Sequence, residues 1–192
     1  MKKYILSLLV LLVSSVAMAK GPHFVLNSGS LPKLDGKRVF IEYDNSQMIV
    51  LDEDSKKEMT IEEFCRMKGD DWVRDMGKDD VDAQSTFEEK LNDKAKFTIA
   101  QDKADADYIM VVKPTKFSYG NPLAFGAGFM SNDVLGFFIG KIILKSASGS
   151  QVAEIQVNKI TGTGITYTWT NQKCEVYKQV AKHLASYLKK GK

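Results

Sequence analysis

Histidine is almost missing from this chain, with two in 192 residues, His23 and His183. Nucleophilic catalysis by serine or cysteine needs an imidazole base beside the nucleophile. His23 lies near the amino terminus, His183 falls outside the apolar stripe of the closing helical segment, and no G-x-S-x-G elbow exists to receive either. The acidic run Asp70, Asp71, Asp75, Asp79, Asp80 and Asp82 lacks the D-x-D-x-D-G spacing that wraps calcium. Asp71, Asp75, Asp79 and Asp82 instead fit a solvated helix face or a helix cap. Gly126-Ala127-Gly128 starts a dinucleotide fingerprint that fails at Ser131. No basic stripe suited to nucleic acid is visible. The reading is therefore non-enzymatic, with no catalytic residues, metal site or cofactor expected.

Long hydrophobic runs are also lacking, apart from one at the start. Lys2 and Lys3, the apolar stretch Tyr4–Val13 and Ala17-Met18-Ala19 form a signal-peptide pattern over residues 1–19. Its core of about ten residues is too short to span a bilayer, which takes roughly 20. No cysteine follows it, so export to the periplasm or beyond without a lipobox anchor is the expectation. Removing Lys2 and Lys3 with the leader leaves 25 Lys and Arg against 24 Asp and Glu. Residues 20–36 read as a lead-in broken by Gly21-Pro22, Ser28-Gly29-Ser30 and Asp35-Gly36, and residues 37–192 as a single domain.

Within that domain Lys37–Tyr43 alternates as a strand, and Met48–Leu51 fits either a short strand or a pinned loop. Thr60 and Glu63 make a T-x-x-E capping box that opens a helix over Met59–Met76. A second helix starts near Asp79 or Asp80, with Ala83, Phe87 and Leu91 at four-residue spacing. Lys96–Ala100 is a short strand, and Ala106–Phe117 a long one that Pro114 bulges or pushes to an edge. Val134–Leu144 and a run from Val152 follow. Thr170 or Asn171 caps a last helix striped by Cys174, Tyr177, Val180, Ala181, Leu184 and Leu188. This order gives a two-layer α+β sandwich, a mainly antiparallel four- to five-stranded sheet with helices on one face.

The strand at Lys37–Tyr43, the helix ending Phe87-x-x-x-Leu91, the Ala106-Asp107-Tyr108 strand, the hairpin and the closing helix with Ala181, Leu184 and Leu188 resemble a loose group of envelope proteins. It includes uncharacterised Bacteroidetes secreted proteins and lipoproteins, the amino-terminal domain of TolB and the penicillin-binding-protein activators. The likeness covers residues 37–188 as an order of elements. It implies an envelope domain that binds other proteins.

The middle of the chain carries the most informative stretch. Between two apolar strands, Tyr119, Leu123, Phe125, Phe129 and Met130 sit among Gly120, Pro122, Gly126 and Gly128, where a loop is normally polar. Two readings stand: the aromatics fold back as a cap on the core, or they are exposed anchors for an envelope protein or a membrane surface. Tyr167 and Trp169 join either arrangement. The alternative function is a small-ligand carrier or enzyme with a pocket between sheet and helices. For Cys65 and Cys174 two arrangements are likewise open, one disulfide or two separate buried thiols.

Overall fold

The computed structural model describes residues 22–120, 135–163 and 168–190. Eight strands form one open, mixed sheet: β1 (Phe24–Gly29), β2 (Arg38–Tyr43), β3 (Ile49–Asp52), β4 (Lys57–Thr60), β5 (Thr98–Ile99), β6 (Tyr108–Ser118), β7 (Phe137–Ser146) and β8 (Gln151–Thr161). Three helices join them: α1 (Ile61–Lys68), α2 (Asp70–Lys94) and α3 (Trp169–Lys190). The sheet runs β1-β8-β7-β6-β2-β5, and the hairpin β3–β4 branches from β6.

The expected meander is present as β6, β7 and β8, paired antiparallel in sequence. The expected four or five strands are too few, and the sheet is not mainly antiparallel. β6 takes two parallel partners on one edge, β2 from Val39↔Tyr108 to Tyr43↔Val112 and β3 from Ile49↔Lys116 to Leu51↔Ser118. Pro114 falls in the gap between those partners, where its missing N–H removes no parallel ladder bond. The expected bulge is there, as a register shift between Pro114 and Lys116 against β7. Gly140 sits opposite Pro114, and a Cβ on it would come within 2.4 Å of the Lys113 carbonyl oxygen.

The lead-in also differs from expectation. Its Phe24–Gly29 is an edge strand paired antiparallel with β8, from Phe24↔Val157 to Gly29↔Ala153. Only Phe24 of the six residues is buried, so no alternation marks the strand in the sequence.

Helix α1 opens on the predicted capping box: the Glu63 N–H donates to Thr60 Oγ1 at 3.2 Å, and the Thr60 N–H to the Glu63 carboxylate at 2.8 Å. The helix then breaks at Gly69 rather than after Met76. Gly69 takes φ +104°, which other residues rarely adopt. Gly77 stays inside α2, where glycine costs about 0.5–1 kcal/mol against alanine, too little to end a helix of 25 residues.

One face of the sheet carries the core. Val39, Ile41, Met110, Val112, Ile142, Leu144, Ala153, Ile155 and Val157 meet Phe64, Ala83, Phe87, Leu91, Val176, Val180 and Leu184 of the helices in one buried cluster. The other face carries surface ion pairs such as Lys113–Asp44, 2.8 Å, and Lys141–Glu154, 2.9 Å. Among the described residues no helix is long and apolar enough to cross a membrane.

Candidate functional site: an aromatic platform around Tyr119 and Lys173

Tyr119 ends β6 at the entry to the aromatic segment, and it is buried. Leu123, Phe125, Phe129 and Met130 lie outside the described residues, as does Tyr167. What the structure defines is the root from which that segment springs. Phe137 pairs with Ser118 across the ladder, which fixes its two ends on neighbouring strands. The Ser118 hydroxyl donates to Glu53 Oε1 at 2.8 Å and accepts from the Gly120 N–H at 3.0 Å.

Four elements converge on the Tyr119 ring. Phe64 of α1 stacks parallel to it at 5.5 Å, and Trp72 of α2 meets it edge-on at 5.3 Å. Phe117 of β6 lies 4.9 Å away, also edge-on, and Trp169 of α3 stands 5.4 Å from Trp72. Stacked and edge-to-face pairs at these spacings stabilise beyond the area they bury. Two lysines border the rings. Lys68 Nζ sits 5.4 Å from the Phe64 ring centre and 5.6 Å from that of Trp169, and pairs with Asp52 at 2.9 Å. Burial would raise the Asp52 carboxyl, but hydrogen bonds from Ser55 and Lys68 outweigh it and hold the group below its ordinary value.

Lys173 is the least expected member. It is fully buried, pairs with Asp80, points at Tyr119 Oη from 3.3 Å and lies 5.8 Å from the Phe117 ring centre. Burial first, then the Asp80 and Asp79 carboxylates, push the Tyr119 hydroxyl well above its ordinary value, so it stays protonated. Asp79 is buried as well and accepts a hydrogen bond from Thr170 Oγ1. The expectation that Asp79 belongs to a solvated face is thus corrected: α2 turns Asp79 and Asp80 inward to tie down the start of α3. The sequence did hold a signal for Lys173. It precedes Tyr177, Val180 and Leu184 at the spacing of one helical stripe, and a lysine on such a stripe needs a buried counter-charge.

Beside this platform a cleft of about 190 Å³ opens between Trp72, Trp169, Asp71, Asp75, Asp79, Thr168 and Thr170. A larger cavity of about 370 Å³ lies at the far end of α3. It is lined by Leu31, Leu34, Phe97, Ala185 and Leu188, with Lys33, Lys96 and Lys189 among its borders. It sits under the lead-in, not between sheet and helices as expected of a ligand pocket.

The two cysteines are free thiols, so the disulfide arrangement is not the one found. Cys65 Sγ lies 3.4 Å from Met76 Sδ, whereas Cys174 is hydrogen-bonded to Thr86. Met76 and Thr86 are separated by about 15 Å along α2, at 1.5 Å per residue. A bridge needs Cα atoms within about 7 Å. Burial pushes both thiols above their ordinary value.

No protein-family model and no curated protein matches the chain. Solved structures do. The PelC dodecamer from Paraburkholderia phytofirmans is 14% identical, with 84% of this chain and 96% of that chain covered and a TM-score of 0.41. A DUF4136 family protein from Bacteroides thetaiotaomicron is 13% identical over 88% of this chain and 97% of its own, with a TM-score of 0.34. An uncharacterised lipoprotein from Nitrosomonas europaea is 8% identical over 85% of this chain and 92% of its own, with a TM-score of 0.32. The last two are of the uncharacterised kind that the element order resembles, and none of the three is a TolB or penicillin-binding-protein activator.

Proposed function

We propose that the chain is a non-enzymatic, exported envelope module that docks on a partner through residues 119–133. The observation that supports this reading is the platform at the base of that segment. Tyr119 is held by Phe64, Trp72, Phe117 and Lys173 from four separate elements, so whatever the segment presents is presented from a rigid root. Leu123, Phe125, Phe129 and Met130 have the composition of an interface centre. Both imidazoles of the chain stand away from the platform, His183 about 15 Å further along α3 than Lys173, at 1.5 Å per residue.

Replacing Phe125 and Phe129 together by serine tests the proposal. The urea midpoint is expected to stay unchanged, while recovery of the protein on envelope vesicles or with its envelope partner is lost. A stability loss of several kcal/mol, as for large core truncations, would make these side chains a cap and defeat the docking reading. The second reading, a small-ligand carrier, draws on the 370 Å³ cavity. Saturable thermal stabilisation by a metabolite, with no partner recovered, would favour it.

A further inference from the structure

The two histidines come from opposite ends of the sequence and meet in the fold. His23 immediately precedes β1, and its carbonyl accepts from the Asn158 N–H of β8 at 2.8 Å, while Asn158 Nδ2 donates to the Pro22 carbonyl at 2.6 Å. His183 lies one turn before Tyr187 on α3, and Tyr187 stacks on Phe24 at 5.4 Å. The start of the edge strand is thus laid against α3. There the two imidazole centroids stand 5.0 Å apart with the rings tilted by 41°. Both residues are half-buried, and neither ring has a hydrogen-bond partner among the described residues.

That spacing matches two imidazoles on one metal ion. A metal–nitrogen bond of about 2.0–2.1 Å plus about 1.1–1.2 Å from nitrogen to ring centre puts the ion about 3.2 Å from each centroid. Angles at the metal of about 90–109° then separate the centroids by about 4.5–5.2 Å, the range between square-planar and tetrahedral sites. The observed 5.0 Å falls inside it.

We propose that His23 and His183 form a two-imidazole site for a borderline transition cation, Zn²⁺, Ni²⁺ or Cu²⁺, which clamps the amino-terminal edge strand to α3. Imidazole selects these ions over Mg²⁺ and Ca²⁺, which take oxygen ligands. Solvent completes the coordination on the open side. Burial, then His23 and Lys182, lower the His183 imidazole, which keeps it in the neutral form that ligates metals. Lys182 is the neighbouring cation and works against a bound dication.

The test is calorimetric titration of the untagged protein with CuCl₂, NiCl₂ and ZnCl₂, and with MgCl₂ as control, over about 1 µM to 1 mM because two protein ligands hold metal less tightly than four. One saturable site is expected, with Cu²⁺ bound more tightly than Ni²⁺ or Zn²⁺. His23→Asn and His183→Gln should each weaken binding tenfold or more, and metal should slow amide exchange across residues 24–29 in the unmutated protein. Absence of a saturable site, or full affinity kept by either variant, overturns the proposal. Should a replacement unfold the chain, exchange in residues 24–29 of the unmutated protein decides: without metal-dependent slowing, the clamp does not exist.

Discussion

Asp80→Asn is the change that probes the buried lysine most directly. Lys173 has no solvent exposure and its counter-ion is Asp80, whose side chain is 23% exposed. Removing one partner of a buried pair typically costs about 3–5 kcal/mol, because the other charge is stranded. The partial exposure of Asp80 and the Phe117 and Tyr119 rings beside the ammonium soften this. About 2–4 kcal/mol is the expected loss for Asp80→Asn. Lys173→Met should cost less, about 1–2 kcal/mol, since Asp80 can turn to water. The double variant should then cost about as much as Lys173→Met alone, a coupling of about 2 kcal/mol. Urea denaturation with unchanged slopes is the assay. Additive single effects, or an Asp80→Asn midpoint within error of the unmutated protein, would refute the pair.

Leu184 is fully buried in the core cluster, so Leu184→Ala should cost about 2–5 kcal/mol in the same assay. Hydrogen bonds from Lys113, then from Ser46, lower the Asp44 carboxyl from 3.8 to about 2. A depressed carboxyl stabilises the fold above its unfolded value and loses that contribution as pH falls through its folded one. Asp44→Asn should therefore lower the urea midpoint at pH 7, with the gap to the unmutated protein closing by about pH 2. A gap that persists there would mean the effect is not electrostatic. Both thiols should react slowly with alkylating reagent in the native state and fully after unfolding without reductant. Recovery of no free thiol would contradict the separation of Cys65 from Cys174.

Local chemistry was legible in the sequence, and distant pairing was not. The Thr60–Glu63 box, the Pro114 bulge and the stripe of the last helix each depend on residues within a few positions of one another, and all three are present. The parallel partners of β6 are different, because nothing in residues 38–43 or 49–52 records which strand they join. β1 escaped because an edge strand with one buried residue needs no alternation. The two glycines were weighed wrongly for a physical reason: Gly69 needs its positive φ, whereas Gly77 merely weakens a helix that tertiary packing sustains. At the site, Tyr119 was recognised as a member but not as buried. Lys173 was passed over because a stripe was sought among apolar residues alone.

The neighbouring positions of Ser118 and Phe137 bear on how this domain can change over time. Because the ladder holds both ends of the connecting segment side by side, the entropy of closing it grows only with the logarithm of its length. Doubling the segment would cost about 0.6 kcal/mol, less than one mediocre core substitution. Insertions, deletions or wholesale replacement between these two strand ends leave the Tyr119 platform and the sheet as they are. The fold thus separates a stretch free to drift in length and composition from a frame that cannot, and lineages carrying this frame should diverge there first.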